Sequence, residues 1–160
     1  MSALKITILG CGSSFGVPLF HNIWGKCDPE EPKNIRSRPS ILVQKNGKNL
    51  LIDTSPDLKQ QILSNKIDNI DAVFYTHEHA DHISGVVPLS HKYKIPIYAS
   101  FGTAKSLEKG GDFRCFDGDK KFELEGVWVN PVSVPHDARE ATQFTFSFKD
   151  ECVGVLSDLG

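Results

Sequence analysis

A buried strand that runs directly into a cluster of polar side chains is the feature that most constrains this chain. The segment "IDAVFYT", residues 70–76, is apolar and rich in strand-forming residues, and "HEHADH" follows at once. His77, His79, Asp81 and His82 stand close together there and include three of the six histidines in the chain. Because "HISGVVPLSHKY" then predicts a helix, we expect the cluster at a strand-to-helix turn.

The spacing of these side chains favours a metal site. Residues two apart point to the same side of an extended segment, so His77, His79 and Asp81 can converge, and His82 can join where the backbone turns. Imidazole and carboxylate together suit zinc or a similar transition metal. A solvated polar turn is the alternative, but chance produces this pattern in only about six of ten thousand such chains. The H-E-x-x-H pattern of helical zinc proteases is excluded because position 81 is Asp.

Two further ligand candidates stand at the ends of later apolar runs. His136 follows "VSVP", and Asp158 follows "VGVLS". Taken singly, His136 is equally well a surface-loop residue, and Asp158 a helix cap or turn residue. The cluster alone would make a closed structural site. Strand ends that bring His136 and Asp158 to it would instead make an open site built from distant segments.

The remaining pattern predicts one domain, residues 1–160, of mixed α/β class. A chain of 160 residues can bury about 70% of the surface that its unfolded form exposes. Strand patterns occupy Leu4–Leu9 and both sides of Asn46-Gly47, a strong hairpin signal. A helix should follow, capped by Thr54 or Ser55 with a proline in its first turn. Its apolar stripe consists of Leu58, Ile62 and Leu63.

The second half of the chain predicts further strands and one short helix. "IPIYAS", "KFELEGVWVNPVSVPH", "TQFTFSF" and "CVGVLSD" each have the composition of a strand, and residues 102–109 predict the helix. The aromatic residues of this half are expected to fill the core between sheets rather than to form a base-stacking platform. They are Phe113, Phe116, Phe122, Trp128, Phe144, Phe146 and Phe148.

Charge, hydropathy and cysteine spacing restrict the compartment and the partners. The net charge of -2 and the pI near 6.3 argue against a general affinity for the nucleic-acid backbone. The first residues are too short an apolar run for a signal peptide, and no run approaches the ~20 apolar residues of a membrane span. The four cysteines are scattered along the chain and form no C-x-x-C pair, so we expect free thiols. They are Cys11, Cys27, Cys115 and Cys152. We therefore expect a cytoplasmic protein without a membrane partner.

Taken together, these segments resemble the metallo-β-lactamase superfamily of metal-dependent hydrolases. The matching pieces are "THEHADH", His136, Asp158 and the Asp53 of "LLIDTS", in that family's order, and they span nearly the whole chain. The resemblance implies an αββα sandwich. Family members usually continue past the last aspartate with further strands, helices and a final histidine ligand, so the C-terminal part of the usual fold is expected to be missing here.

The resemblance also implies two divalent transition-metal ions, with zinc as the first choice and manganese or iron as alternatives. The implied ligands are His77, His79 and His136 for the first ion, Asp81 and His82 for the second, and Asp158 as the bridge. Asp53 is implied to support the ligand turn from behind, a role compatible with the helix-capping turn that is its alternative. Asp81 is also implied to orient the attacking hydroxide.

Two segments narrow the resemblance to one branch. "LGCGSSFGVP" and "NIRSRPSILV" resemble the phosphodiesterase of phosphonate breakdown and, more distantly, the tRNA 3′-processing endonucleases. That phosphodiesterase carries a cysteine cluster for an extra structural zinc, whereas this chain offers only Cys27 there. The branch implies a small phosphodiester substrate rather than nucleic acid. A thioester hydrolase resembling glyoxalase II and a non-catalytic metal-binding fragment remain the alternatives, and a homodimer stays open.

The glycine-rich loop and two arginines complete the candidate site residues. Gly10, Gly12 and Gly16 do not match the dinucleotide fingerprint, which needs its third glycine one position earlier and a helix at once. The loop is therefore expected as a close turn beside the cleft. Arg36 and Arg38 either grip a phosphate or form a solvated basic loop, and the second alternative is favoured.

Overall fold

Among the described residues, ten strands form two sheets. The computed structural model describes residues 3–85, 92–107 and 111–159. Across the first sheet, in chain order, lie β1 (Lys5–Gly10), β2 (Ser40–Lys45), β3 (Lys48–Ile52), β4 (Ala72–Phe74), β5 (Ile97–Ala99) and β6 (Phe113–Cys115). The second sheet contains β7 (Phe122–Leu124), β8 (Val127–Val134), β9 (Ala141–Phe148) and β10 (Glu151–Val155), each beside the next. This arrangement confirms the mixed α/β class and the paired sheets.

The hairpin predicted at Asn46-Gly47 joins β2 to β3 and is confirmed. Asn46 has a φ of 50° and Gly47 a φ of 79°, the left-handed pair that a two-residue type I′ turn requires. β1 pairs with β2 in the antiparallel sense, and so does β3. The opening of the chain therefore forms an antiparallel meander.

From β3 onward the first sheet is parallel. Parallel neighbours need crossover connections, and these contain α1 (Leu58–Ser64), α2 (Ala80–Ile83) and α3 (Phe101–Ser106) in turn. Because parallel strands end at the same edge of a sheet, the segments that leave β3, β4 and β5 begin side by side. Those segments start at Asp53, Tyr75 and Ser100, and this edge carries the candidate site.

The first sheet is buried on both faces. One face packs against α1 and α3 through Leu42, Leu51, Val73, Tyr75, Ile97, Leu58, Ile62 and Ala104. Alternate side chains point to the other face and pack against the second sheet through Leu50, Ile52, Phe74, Val127, Val129, Phe144 and Phe146. Burial of both faces explains why β3 and β4 read as continuous apolar runs instead of alternating ones.

The aromatic residues of the second half are divided among three environments. Phe116, Phe122, Phe144 and Phe146 lie between the sheets as predicted. Phe113 instead packs on the helical side of the first sheet, and Trp128 is 43% exposed on β8. The ring of Phe148 lies 3.5 Å from Nζ of Lys45.

The helix predicted after Asp53 begins later than expected. α1 starts at Leu58, and its N-cap residue is Asp57 instead of Thr54 or Ser55. The Thr54 hydroxyl lies 2.6 Å from the Tyr75 hydroxyl, so a tertiary hydrogen bond occupies the group that was expected to cap. The apolar stripe is also shorter than predicted, because Leu63 is 63% exposed while Gln61 is buried.

Two other elements differ from the sequence prediction. The segment "KFELEGVWVNPVSVPH" is not one strand but a hairpin of β7 and β8, since Glu125 (φ 52°) and Gly126 (φ 80°) form a left-handed pair. β6 was not predicted. The predicted helix 102–109 appears as α3, capped by Ser100, whose Oγ accepts a hydrogen bond from Thr103 N. Residues 108–110 of that prediction, and residues 86–91 of the helix predicted after the cluster, lie outside the described residues.

An ion pair between Arg38 and Asp57 ties the entrance of β2 to the start of α1. The backbone N of Arg38 donates to Asp57 Oδ2 at 2.9 Å, Nε donates to the same oxygen at 2.7 Å, and Nη2 bonds Oδ1. These hydrogen bonds and the guanidinium charge hold the pKa of Asp57 below its ordinary value, against the opposing effect of partial burial. The pair explains why Asp57 makes no side-chain cap on α1, and it occupies the guanidinium that was considered for a phosphate.

Asp57→Asn should destabilise the fold in a pH-dependent way. We expect the free energy of unfolding to fall by about 1.5–3 kcal/mol near neutral pH, the range for hydrogen bonds to charged groups. Because folding depresses the pKa of Asp57, the stabilisation is fully present above the ordinary pKa of about 3.9. It is lost as the pH falls through the lower folded-state value. Urea unfolding of both proteins across this range measures the difference.

Asp112→Asn is the matched control, since it removes a carboxylate from an exposed pair with Arg114, 3.0 Å apart. Exposed pairs of this kind contribute at most about 1 kcal/mol. Equal losses in the two variants, or a deficit of Asp57→Asn that does not shrink in acid, would contradict the stabilising role of the Arg38–Asp57 pair.

Candidate metal centre

The six side chains predicted as ligands lie on three separate segments that meet at one edge of the molecule. Residues 77–82 follow β4 and continue into α2. His136 comes two residues after the end of β8, and Asp158 comes three residues after the end of β10. The structure therefore brings both distant candidates to the histidines of the local cluster.

The first group consists of three histidines. The ligand nitrogens of His77, His79 and His136 all lie within 4.8 Å of one another. The ring centroids of His77 and His79 are 4.5 Å apart, and that of His136 lies 4.8 Å and 5.0 Å from them. Three imidazoles that face one point are a common protein ligand set for a catalytic zinc ion.

The second group combines histidine and carboxylate. Ligand atoms of His77, His82 and Asp158 also lie within 4.8 Å of one another. Nε2 of His82 is 2.7 Å from Oδ2 of Asp158 and 3.5 Å from Oδ2 of Asp81. Asp158 Oδ2 also lies 3.7 Å from Nε2 of His77, the histidine that belongs to both groups.

Hydrogen bonds fix which nitrogen of His77 faces the centre. The Thr76 hydroxyl donates to Asp53 Oδ2 at 2.8 Å, and the same oxygen atom of Thr76 lies 2.9 Å from Nδ1 of His77. Because that hydroxyl proton is already committed, the Thr76 oxygen must accept a proton from Nδ1. Nε2 of His77 is then unprotonated and has a lone pair directed at the two groups.

Asp53 holds the turn from behind, as the resemblance implied. Its carboxylate is buried and accepts hydrogen bonds from the backbone N of Thr76 at 2.9 Å and from the Thr76 hydroxyl. It also lies 2.7 Å from Nδ1 of His82, which orients that ring so that Nε2 faces Asp158. A ligand histidine whose second nitrogen bonds a carboxylate is the usual arrangement around protein metal ions.

The surroundings shift the pKa values of the two buried histidines in opposite directions. Burial, assisted by the neighbouring His82, lowers the pKa of His77 to about 4, so the ring is neutral near pH 7. Burial also disfavours the charged form of His82. The hydrogen bond and negative charge of Asp53, together with the charges of Asp81 and Asp158, outweigh the effect of burial and raise the pKa of His82 to about 9. A cation at Nε2 of His82 must displace that proton, so its binding weakens as the pH falls.

The side chains present fit a divalent transition metal. Nε2 of His77 is buried and has no hydrogen-bond partner among the described residues. An unsatisfied buried polar atom is costly, by about 1–3 kcal/mol, and a cation would satisfy this lone pair. The mixture of imidazole and carboxylate donors suits zinc and similar ions rather than calcium or magnesium.

Two acidic residues near the centre were not predicted as site residues. Oδ1 of Asp137 lies 3.2 Å from Nε2 of His136 and 3.8 Å from Nε2 of His79. Oε1 of Glu78 accepts a hydrogen bond from the backbone N of Arg139 at 2.8 Å. The sequence offered one signal for these residues: each stands next to a candidate ligand, Glu78 within "HEH" and Asp137 within "HD".

A cleft of about 340 Å³ opens beside the second group. Its lining includes the glycine-rich loop, represented by Gly10, Cys11 and Gly12, together with Asp53 and Asp158. The loop therefore lies beside the cleft, as predicted. Arg36 is exposed at this side of the molecule, and its Nη1 lies 3.4 Å from Sγ of Cys11.

The described part of the chain contains no helix of the length and apolar character that crossing a membrane demands. All four cysteines are free thiols.

Comparisons with known proteins agree with this fold. Residues 48–156 match the family model of the beta-lactamase superfamily domain. An octanoyltransferase of Porphyromonas gingivalis is 43% identical over 109 residues, which cover 65% of this chain and 22% of that protein. The exodeoxyribonuclease WalJ of Streptococcus pneumoniae is 28% identical over 134 residues, covering 76% of this chain and 50% of that protein.

Solved structures extend the likeness to three dimensions. The crystal structure of a diphosphatase from the PhnP family superimposes with a TM-score of 0.76 and 33% sequence identity, covering 91% of this chain and 63% of that one. With two facing sheets and a histidine-rich cluster at one edge, the molecule has the architecture of the metallo-β-lactamase fold. The chain belongs to the metallo-β-lactamase superfamily. It spans about half the length of the exodeoxyribonuclease that it matches.

Asp53→Asn should weaken metal binding. An amide at this position presents NH₂ where Nδ1 of His82 needs an acceptor, so the ring loses its orientation. Loss of such a supporting carboxylate typically lowers metal affinity by about 10- to 100-fold. Zn²⁺ affinity, measured by competition with a chelating dye, checks the expectation.

Asp71→Asn serves as the control, because Asp71 also accepts a backbone hydrogen bond, from Asn49 N at 2.8 Å, but at the opposite end of β3. It removes the same charge and should leave Zn²⁺ affinity unchanged. If both variants bound Zn²⁺ as tightly as the wild type, Asp53 would have no role in orienting His82.

Proposed function

We propose that this protein hydrolyses phosphodiester bonds at a dinuclear metal site. The observation that carries the proposal is the convergence of two ligand groups from three chain segments beside an open cleft. His77, His79 and His136 would hold one ion, and Asp81 and His82 the other. Asp158, which lies near His77 and His82, would contact both ions. We propose zinc as the metal, with manganese and iron as alternatives.

Two ions at such a site supply Lewis acidity and a water molecule of lowered pKa. The protein's own groups supply position. Asp81 is the candidate catalytic residue, because its carboxylate lies beside His82 at the mouth of the centre and is 12% exposed. A carboxylate there can accept a hydrogen bond from the attacking water and orient its lone pair towards phosphorus. The Asp53–His82 hydrogen bond prevents the neighbouring ring from turning away.

The cleft offers a place for the phosphate group. Arg36 is exposed, and its guanidinium lies against Cys11, which lines the cleft. Among the described residues, the Arg36 guanidinium has no carboxylate partner, and such a guanidinium can bind phosphate oxygens in a bidentate manner. Arg38 does not serve this purpose, because Asp57 already binds its guanidinium.

The relatives support the same bond type. The diphosphatase and the exodeoxyribonuclease both carry names that denote cleavage of bonds to phosphate. The octanoyltransferase match covers less than a quarter of that protein, so acyl transfer is not carried over. We propose a small phosphodiester rather than nucleic acid, because the net charge of -2 argues against a general affinity for the nucleic-acid backbone. Free thiols support the cytoplasm as the compartment.

Assays of activated esters test the proposal. Zn²⁺-loaded protein should hydrolyse bis(p-nitrophenyl) phosphate. The monoester p-nitrophenyl phosphate should react more slowly, because the carboxylates of Asp81 and Asp158 repel its extra negative charge. His77→Ala/His79→Ala should retain no transition metal in elemental analysis and should show only background hydrolysis, since two ligands of the first group are removed.

A glutathione thioester separates the proposal from its alternative, because the same metal centre can serve another bond type. Faster turnover of the thioester under matched conditions would favour a thioester hydrolase. Tight metal binding without hydrolysis of any of these esters would favour a non-catalytic metal-binding protein. The double variant must keep its far-UV circular dichroism for the comparison to be valid.

A further inference from the structure

Glu78 links the segment that carries His77 and His79 to the loop that carries His136. It stands between His77 and His79 on an extended segment, where alternate side chains point to opposite sides. Its carboxylate therefore does not join the two rings. Oε1 accepts a hydrogen bond from the backbone N of Arg139 at 2.8 Å, across 61 positions of the chain, whereas Oε2 is buried.

Arg139 belongs to the loop that carries the third histidine. Residues 135–140 connect β8 to β9, and the loop is closed at its base by the pairing of Val134 with Ala141. Among the described residues, further hydrogen bonds hold the last part of this loop. Glu140 accepts a hydrogen bond from Gly102 N at 2.7 Å, and Thr142 N donates to Thr76 O at 2.8 Å.

The Glu78 contact reaches the interior of this loop, three residues from His136. A carboxylate that accepts a backbone N–H forms a charge-assisted hydrogen bond, which is shorter and stronger than a neutral one. Without it, the loop interior would sample more conformations, and each cation bound by His136 would have to order them at an entropic cost.

We propose that Glu78 is a positioning residue, which fixes His136 relative to His77 and His79 and thereby sets the cation affinity of the first group. The inference rests on the proposed metal site. It assigns Glu78 no contact with substrate or cation, and its effect passes entirely through the backbone of the loop.

Two substitutions separate positioning from charge. Glu78→Ala removes both the acceptor and the negative charge, whereas Glu78→Gln removes the charge but keeps a carbonyl oxygen that can accept the Arg139 N–H. If Glu78 acts by position, Zn²⁺ affinity should fall by about 10- to 100-fold in Glu78→Ala and should stay close to the wild-type value in Glu78→Gln. If it acts by charge alone, both variants should lose affinity equally, and the proposal is overturned.

Glu140→Ala is the matched control, because Glu140 makes the same type of bond, carboxylate to backbone N–H, at the end of the same loop. The pairing of Val134 with Ala141 still holds that end, so affinity should remain close to that of the wild type. A loss equal to that of Glu78→Ala would show general loosening of the loop and would overturn the specific role of Glu78.

The measurements are competition with a chelating dye for Zn²⁺ and the visible spectrum of Co²⁺-loaded protein, which reports the coordination number. Glu78→Ala should also change the Co²⁺ spectrum, because the His136 ring is held less firmly, and Glu78→Gln should restore it. Should Glu78→Ala fail to fold by circular dichroism, Glu78→Met takes its place, since it fills the space without an acceptor.

The two proposals fail in different ways. Wild-type protein that binds neither Zn²⁺ nor Co²⁺ would remove the metal site, and both proposals with it. Wild-type protein that binds Zn²⁺ tightly, together with a folded Glu78→Ala of equal affinity and identical Co²⁺ spectrum, would overturn only the role of Glu78.

Discussion

The buried carboxylate of Asp53 is the interaction on which the rest of the site depends. It receives hydrogen bonds from the Thr76 backbone and hydroxyl and contacts His82, so it joins the end of β3 to the turn after β4. A buried charge is tolerated only when its hydrogen-bonding capacity is filled. The same bonds that satisfy Asp53 determine the tautomer of His77 and the orientation of His82. The backbone at Asp53 has a φ of 59°, a left-handed conformation that aspartate adopts more readily than most residues.

The topology of the first sheet explains why such a network forms at this place. Parallel pairing of β3, β4 and β5 brings their carboxyl ends to one edge, where Asp53, the histidine turn and Ser100 follow the strands. The second sheet brings its own contribution to the same edge, because β8 and β10 end near it. Neither sheet alone could hold a centre with ligands on three segments.

Much of the fold and of the candidate site could be predicted from the sequence. The strand that precedes the histidines, the Asn46-Gly47 hairpin and the convergence of His136 and Asp158 with the local cluster follow from periodicity, turn chemistry and family resemblance. The late start of α1 could not be predicted, because Asp57 bonds Arg38, and that contact exists only in the folded chain. The Glu125-Gly126 turn was not predicted, because Glu125 adopts a left-handed φ of 52° that cannot be inferred from its residue type. The contact of Glu78 with Arg139 depends on the path of a loop 61 residues away, and local patterns contain no information about it.

The separation of the ligands along the chain has a kinetic consequence. His77 and Asp158 are far apart in sequence, and they meet only after the two sheets have packed and the loops between them have closed. Contacts of such long range form late, since loop-closure entropy must be overcome first. The complete set of candidate ligands therefore exists only once the chain has reached its compact form by apolar packing.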